Sequence, residues 1–118
     1  MSSLLGSSLL IEIAFGSVQP DGTAVLDSGV TVTHPATGIY DIHLPVGLRQ
    51  QANAFIVFAT PRQFGIVAAN HTIGYSYDQA TGIIELNFVD IFGGEGPALA
   101  DVGFDFLVLR PTYTDPVV

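Results

Sequence analysis

Polar and apolar positions alternate along this chain in short runs. Val30-Thr31-Val32-Thr33, Tyr40-Asp41-Ile42-His43-Leu44 and Ile84-Glu85-Leu86-Asn87-Phe88 change polarity at nearly every residue. That is the period of a strand with one buried and one wet face. A slip of one residue would turn each set to the wrong side, so register is strongly specified. No window carries the 3.6-residue period of an amphipathic helix. Runs rich in Val, Ile, Phe, Tyr and Thr predict strands at Leu9–Phe15, Ala24–Leu26, Val30–Thr33, Ile39–Leu44, Ala54–Thr60, Ile66–Ala68, Thr72–Tyr77, Ile83–Val89 and Gly103–Leu109. About eight to nine short strands, with turn residues between them and no significant helix, specify an all-β antiparallel sandwich or small barrel.

The punctuation refines this. Gln19-Pro20-Asp21-Gly22 is a turn, since proline presets φ and glycine accepts positive φ without steric cost. Pro45 and Pro61 are expected to close strands, because proline cannot donate to a ladder. Ala54–Thr60 is apolar on both faces, so a central position is expected for it. Phe92–Pro97 is the clearest loop. The division is then an N-terminal arm over 1–8, a β-sandwich domain over 9–110, and a C-terminal tail over 111–118 that is too Pro-rich for a core strand.

One nine-residue pattern occurs twice. Ala36-Thr37-Gly38-Ile39-Tyr40-Asp41-Ile42-His43-Leu44 and Ala80-Thr81-Gly82-Ile83-Ile84-Glu85-Leu86-Asn87-Phe88 share A-T-G-I-apolar-acidic-apolar-polar-apolar. Each copy reads as a hairpin whose glycine supplies a left-handed turn residue. A duplicated half-domain would place the two hairpins at related positions in two sheets. Convergence on the same turn chemistry is the preferred reading, because any hairpin needing positive φ would look alike and two copies fall short of a repeat architecture.

Composition narrows the function classes. Of 118 residues, 48% are hydrophobic and 12% charged, with 3 cationic against 11 acidic groups and a formal net charge of −8. The cations are Arg49, Arg62 and Arg110, and there is no lysine. Such a chain has no cationic surface for phosphates, so nucleic acid is not an expected partner. With no cysteine, disulfides, thiolate metal sites and cysteine nucleophiles are excluded. A membrane span needs about 18 consecutive apolar residues, and the runs here are as short as Ala54–Ala59; neither a span nor a signal peptide is expected. The apolar surplus therefore points to a subunit interface, the alternative being a monomer with a dense core and a surface of Thr, Ser, Asn and Gly.

Candidate chemistry is sparse. Asp41 and His43 leave the same face of one strand, and His34 across the hairpin would complete a His/His/Asp metal cluster. Asp90, Glu95 and Asp101 surround the glycine-rich loop as a calcium-type group, though solubility alone accounts for them. A glycosidase needs two facing carboxylates, and the dispersed acids Asp21, Asp27, Asp78, Asp90, Glu95, Asp101 and Asp105 reveal no such pair in sequence. Tyr75, Tyr77, Phe88 and Phe92 would stack on a sugar if exposed, but strand aromatics belong first to the core. Asn70-His71-Thr72 fits a glycosylation sequon. No hydrolase, metalloprotease, phosphate-loop or EF-hand motif is present. No catalytic, cofactor-binding or metal residue is assigned.

The segments Ile13-Ala14-Phe15-Gly16-Ser17-Val18, Gly29-Val30-Thr31-Val32-Thr33 and Thr37-Gly38-Ile39-Tyr40-Asp41-Ile42-His43-Leu44-Pro45, with Val102-Gly103-Phe104-Asp105-Phe106-Leu107-Val108-Leu109 near the end, resemble a small all-β module of bacteriophage virion proteins. That module occurs in tail-fibre heads and capsid decoration (cement) proteins, and the likeness spans roughly residues 12–110. The resemblance implies a jelly-roll-like fold, a homotrimer, a place on the virion's outer surface beside the major capsid protein, and no catalysis. It assigns no functional residues. Fibre heads of this kind follow a long shaft, whereas only about ten residues precede the first strand here. The expectation is therefore a decoration protein, with a receptor-binding fibre head as the first alternative and a carbohydrate-binding or metal-dependent β-barrel protein as the second.

Overall fold

The computed structural model describes residues 9–45, 55–62, 71–91 and 97–112. Among these residues there is no helix and there are nine strands: β1 Leu9–Val18, β2 Ala24–Asp27, β3 Thr31–Ala36, β4 Ile39–His43, β5 Ile56–Arg62, β6 His71–Asp78, β7 Ile83–Asp90, β8 Ala98–Leu99 and β9 Gly103–Thr112. They form two antiparallel sheets that pack as a sandwich. One sheet has the order β2-β1-β9-β5; the other runs β3-β4-β7-β6, with β8 beside the end of β7. The chain changes sheet four times, and its first and last strands are neighbours along their whole length.

The core lies where the alternation placed it. Ala14, Val18, Phe104, Phe106 and Val108 project from the four-stranded sheet, and Tyr40, Ile42, Ile84, Leu86 and Phe88 from the five-stranded sheet. Phe104 packs against Tyr40 and Phe88 with ring centroids 4.9 and 4.8 Å apart. Burying each such side chain contributes about 1.5–3 kcal/mol.

The repeated motif resolves into a local two-fold arrangement. Its strands, β4 and β7, are adjacent and antiparallel in a single sheet, not in two. Ile39 opposes Asn87 and His43 opposes Ile83, while the equivalent residues Asp41 and Glu85 oppose one another at the centre. Gly38 and Gly82 open the two strands with φ of +72° and +71°. The Leu44 N–H donates to the Gly82 carbonyl at 2.9 Å, and the equivalent Phe88 N–H donates to the Gly38 carbonyl at 2.8 Å.

Three expectations need correction. β5 is an edge strand, not a central one: Val57 and Ala59 pack on the core while Ile56 and Phe58 face outward. Pro61 does not close it, since the strand continues to Arg62 opposite Gly103. An edge strand tolerates proline because the missing N–H can lie on the unpaired side. Likewise β9 runs through Pro111 to Thr112, paired with Leu10 and Leu9, so the sheet extends two residues into the expected tail. The strand expected at Ile66–Ala68, the arm over 1–8, most of the loop at Phe92–Pro97, and residues 113–118 lie outside the described residues.

Candidate functional site

At one end of the sandwich, where β1 turns into β2 and β9 begins, three strands are tied together by one cation. Arg62, last in β5, reaches across β9 to β1. Its Nη1 donates to Ser17 Oγ at 2.7 Å and its Nη2 to the Val18 carbonyl at 3.2 Å. Ser17 in turn donates to Asp105 Oδ1 at 2.5 Å, and Asp105 lies 3.3 Å from Arg62 Nη1. Both charged groups are substantially exposed, so the ion pair itself contributes little. Its geometry fixes where the guanidinium sits.

A second polar group adjoins the first. Asp101 Oδ1 accepts from His34 Nε2 at 2.8 Å and from the Gly38 N–H at 2.7 Å. The His34 ring stacks on Tyr40, with centroids 4.4 Å apart and planes within 8°. The Tyr40 hydroxyl donates to the Pro20 carbonyl at 2.6 Å and accepts from the Val102 N–H at 3.3 Å. It thereby satisfies two loop groups at the sandwich's end. Burial pushes its pKa up to about 12, with smaller contributions from nearby carboxylates. In the adjoining turn, the Thr23 N–H donates to Asp21 and holds that carboxyl below its usual range.

Between these groups is a cavity of about 380 Å³ lined by Gln19, Pro20, Val25, Arg62, Asp101, Val102 and Gly103. Nothing in the sequence marks it. Its lining comes from two segments far apart in the chain plus the end of β5, and only the fold brings them together.

The two outer faces of the sandwich differ. On the four-stranded sheet, register aligns Phe15, Leu107 and Phe58 in one row, and Leu109 beside Ile56 in the next. Phe58 is 56% exposed and Ile56 41%. On the five-stranded sheet the corresponding rows are Thr33-Asp41-Glu85-Ser76 and Thr31-His43-Ile83-Asp78. The first face has an apolar centre bordered by Glu12, opposite Leu109, and by Asp105, opposite Thr60; the second is polar and acidic in these rows.

The proposed His34/Asp41/His43 cluster is not assembled. His34 turns to Tyr40 and Asp101 at the sandwich's end, whereas Asp41 and His43 lie on the outer face, His43 Nε2 sitting 2.8 Å from Thr33 Oγ1. No group of three ligating side chains occurs among the described residues. Of the calcium-type group, Glu95 lies outside the described residues and Asp101 is held by His34 and Gly38. The sugar platform also disperses, since Phe88 is fully buried, Tyr77 packs edge-on against Phe55, and Tyr75 stands at an exposed sheet edge. Phe92 and the sequon's Asn70 lie outside the described residues. The facing pair of carboxylates that the sequence did not reveal is Asp41 and Glu85; the echo itself was the signal that could have found it.

Comparison with family models, with curated proteins and with solved structures found no match to this chain.

Proposed function

We propose that this protein is a non-catalytic structural subunit that assembles with copies of itself, as a homotrimer, through the outer face of its four-stranded sheet. Its proposed setting is the outer surface of a bacteriophage capsid, where it decorates the head and docks on the major capsid protein. The observation that carries self-assembly is the row Phe15-Leu107-Phe58 with Leu109 and Ile56 beside it, apolar side chains left on the outside of a finished sandwich. Surface patches of this kind mark interaction sites. The opposed carboxylates Asp41 and Glu85 on the opposite face disfavour contact there between like copies. The resemblance of the β1 and β3–β4 segments to virion modules supplies the setting. Stabilisation of a shell would come from area buried across capsomer boundaries, for which a stable contact needs more than about 1,200 Å² in total.

Sedimentation velocity on the purified chain tests the assembly: a species of three times the monomer mass is expected, and a monomer at tens of micromolar overturns it. Co-sedimentation with phage heads lacking their decoration tests the setting. Binding that raises the temperature at which heads rupture is expected; no binding to any head removes the capsid role while leaving the assembly intact.

A further inference from the structure

We infer that the cavity between the β1–β2 turn and the start of β9 is a binding site for a neutral saccharide, one or two pyranose rings in size. Its volume of about 380 Å³ lies in the range of small-molecule pockets. Its walls are preformed. The turn is closed by the Gly22 N–H to the Gln19 carbonyl and the Gln19 N–H to the Thr23 carbonyl, both at 2.8 Å. Arg62 is held by Ser17, Asp105 and Val18, and Asp101 by His34 and Gly38. Pro20 and Tyr40 are locked to each other.

The chemistry of the lining selects the ligand class. Pro20 and Val25 present hydrocarbon, suited to the C–H face of a sugar ring. Around them stand planar groups that hydrogen-bond through two atoms at once. The His34 and Gly38 bonds to Asp101 both fall on Oδ1 and the Tyr40 hydroxyl is also near this carboxylate, so Asp101 brings acceptor oxygens to the wall. Arg62, anchored through its two terminal nitrogens, brings N–H donors to the wall. Gln19 offers one of each. Adjacent hydroxyls, which donate and accept together, match this set. A free anion is disfavoured because Asp101 and Asp105 flank the one cation, and a cation is disfavoured by Arg62 itself. The inference is independent of the proposed assembly, since these residues lie at the end of the sandwich and not in the Phe15-Leu107-Phe58 row.

The test is a titration of the isotope-labelled full chain followed by amide shifts, with methyl glycosides of glucose, galactose, mannose and N-acetylglucosamine and with their β-linked disaccharides, each to about 50 mM, well above the millimolar affinities of weak small-ligand sites. At least one saccharide should give saturable shifts confined to residues 19–25, 62 and 101–103. Gln19→Ala, a change on an exposed turn, should weaken that binding about fivefold, the loss of one hydrogen bond. Val25→Ala should weaken it by removing apolar contact without touching a polar group. Inorganic phosphate and acetate should leave these amides unmoved. Absence of saturable shifts with every saccharide overturns the inference. So do equal shifts from phosphate, or a Gln19→Ala variant that binds unchanged.

Discussion

Asp41 and Glu85, equivalent positions in the two copies of one sequence motif, are direct cross-strand partners on the outer face of the five-stranded sheet. The local two-fold that pairs β4 with β7 makes this unavoidable. An acidic residue at the centre of the motif must meet its own counterpart. Asp41 Oδ1 is buried there without a hydrogen-bond partner.

Like charges directly opposite on a sheet are destabilising, so Glu85→Gln should raise stability by about 0.2–1 kcal/mol. The glutamine amide also offers Asp41 a donor. Urea denaturation at low and high salt checks this. The gain should shrink as salt screens the wild-type repulsion. A variant no more stable than wild type at low salt would mean that the opposed carboxylates carry no cost.

Tyr40 joins the two sheets' ends through its hydroxyl, so Tyr40→Phe leaves the Pro20 carbonyl and the Val102 N–H without that partner. A loss of about 1–3 kcal/mol is expected. The substitution also has a pH signature. In the folded protein the Tyr40 pKa is raised to about 12 from its ordinary value of 10.0. Its contribution to stability is therefore fully present below pH 10 and is lost as pH rises toward 12, because only the unfolded chain gives up the proton in that window. Wild type minus Tyr40→Phe, measured by denaturation from pH 8 to 11.5, should fall with pH above 10; a flat difference contradicts the assignment.

Gly38 and Gly29 both have positive φ, +72° and +102°, but their surroundings differ. A Cβ on Gly29 meets nothing within 4 Å, whereas on Gly38 it would stand 2.8 Å from both Ala100 N and the Phe88 carbonyl oxygen. Those atoms are backbone, fixed by the β7–β8 contact. Alanine at either site incurs about 1–2 kcal/mol of left-handed strain; Gly38→Ala should cost clearly more than Gly29→Ala. Equal denaturation midpoints would show that the turn relaxes freely.

Most of the fold was legible because alternation is a local signal, and Ile39–Leu44 and Ile83–Val89 nearly coincide with β4 and β7. The two proline errors share one cause, since Pro61 and Pro111 sit within strands that continue past them; the error over β5 has another. Ala54–Thr60 is apolar on both faces, which reads as burial by two layers. In the structure Phe55, Val57 and Ala59 meet the core, and Ile56 and Phe58 stay outside. A sequence cannot distinguish a side chain covered by its own domain from one left uncovered by it. The end cavity was illegible for a related reason: Gln19, Arg62 and Asp101 come together only through strand order. Asp41–Glu85 was within reach, since pairing the two copies antiparallel forces it.

The contrast between Phe58 and Phe106 separates folding from assembly. They stand on neighbouring strands of the same sheet, Phe106 opposite Ala59 and turned inward at 4% exposure, Phe58 turned outward. Phe106→Ala should lose about 3–5 kcal/mol of stability through a core cavity. Phe58→Asp removes no core contact, so for the isolated subunit the change should stay within about 0.5 kcal/mol. An assembled subunit responds differently. Partner binding makes the melting temperature rise with protein concentration, and a charge in the middle of the apolar row abolishes that rise. Calorimetry at several concentrations over two decades therefore distinguishes the two roles. Wild type and Phe106→Ala should both show the concentration dependence, Phe106→Ala from a lower baseline. Phe58→Asp should melt at one temperature throughout. If it keeps the slope, the outer face of the four-stranded sheet is not the assembly surface.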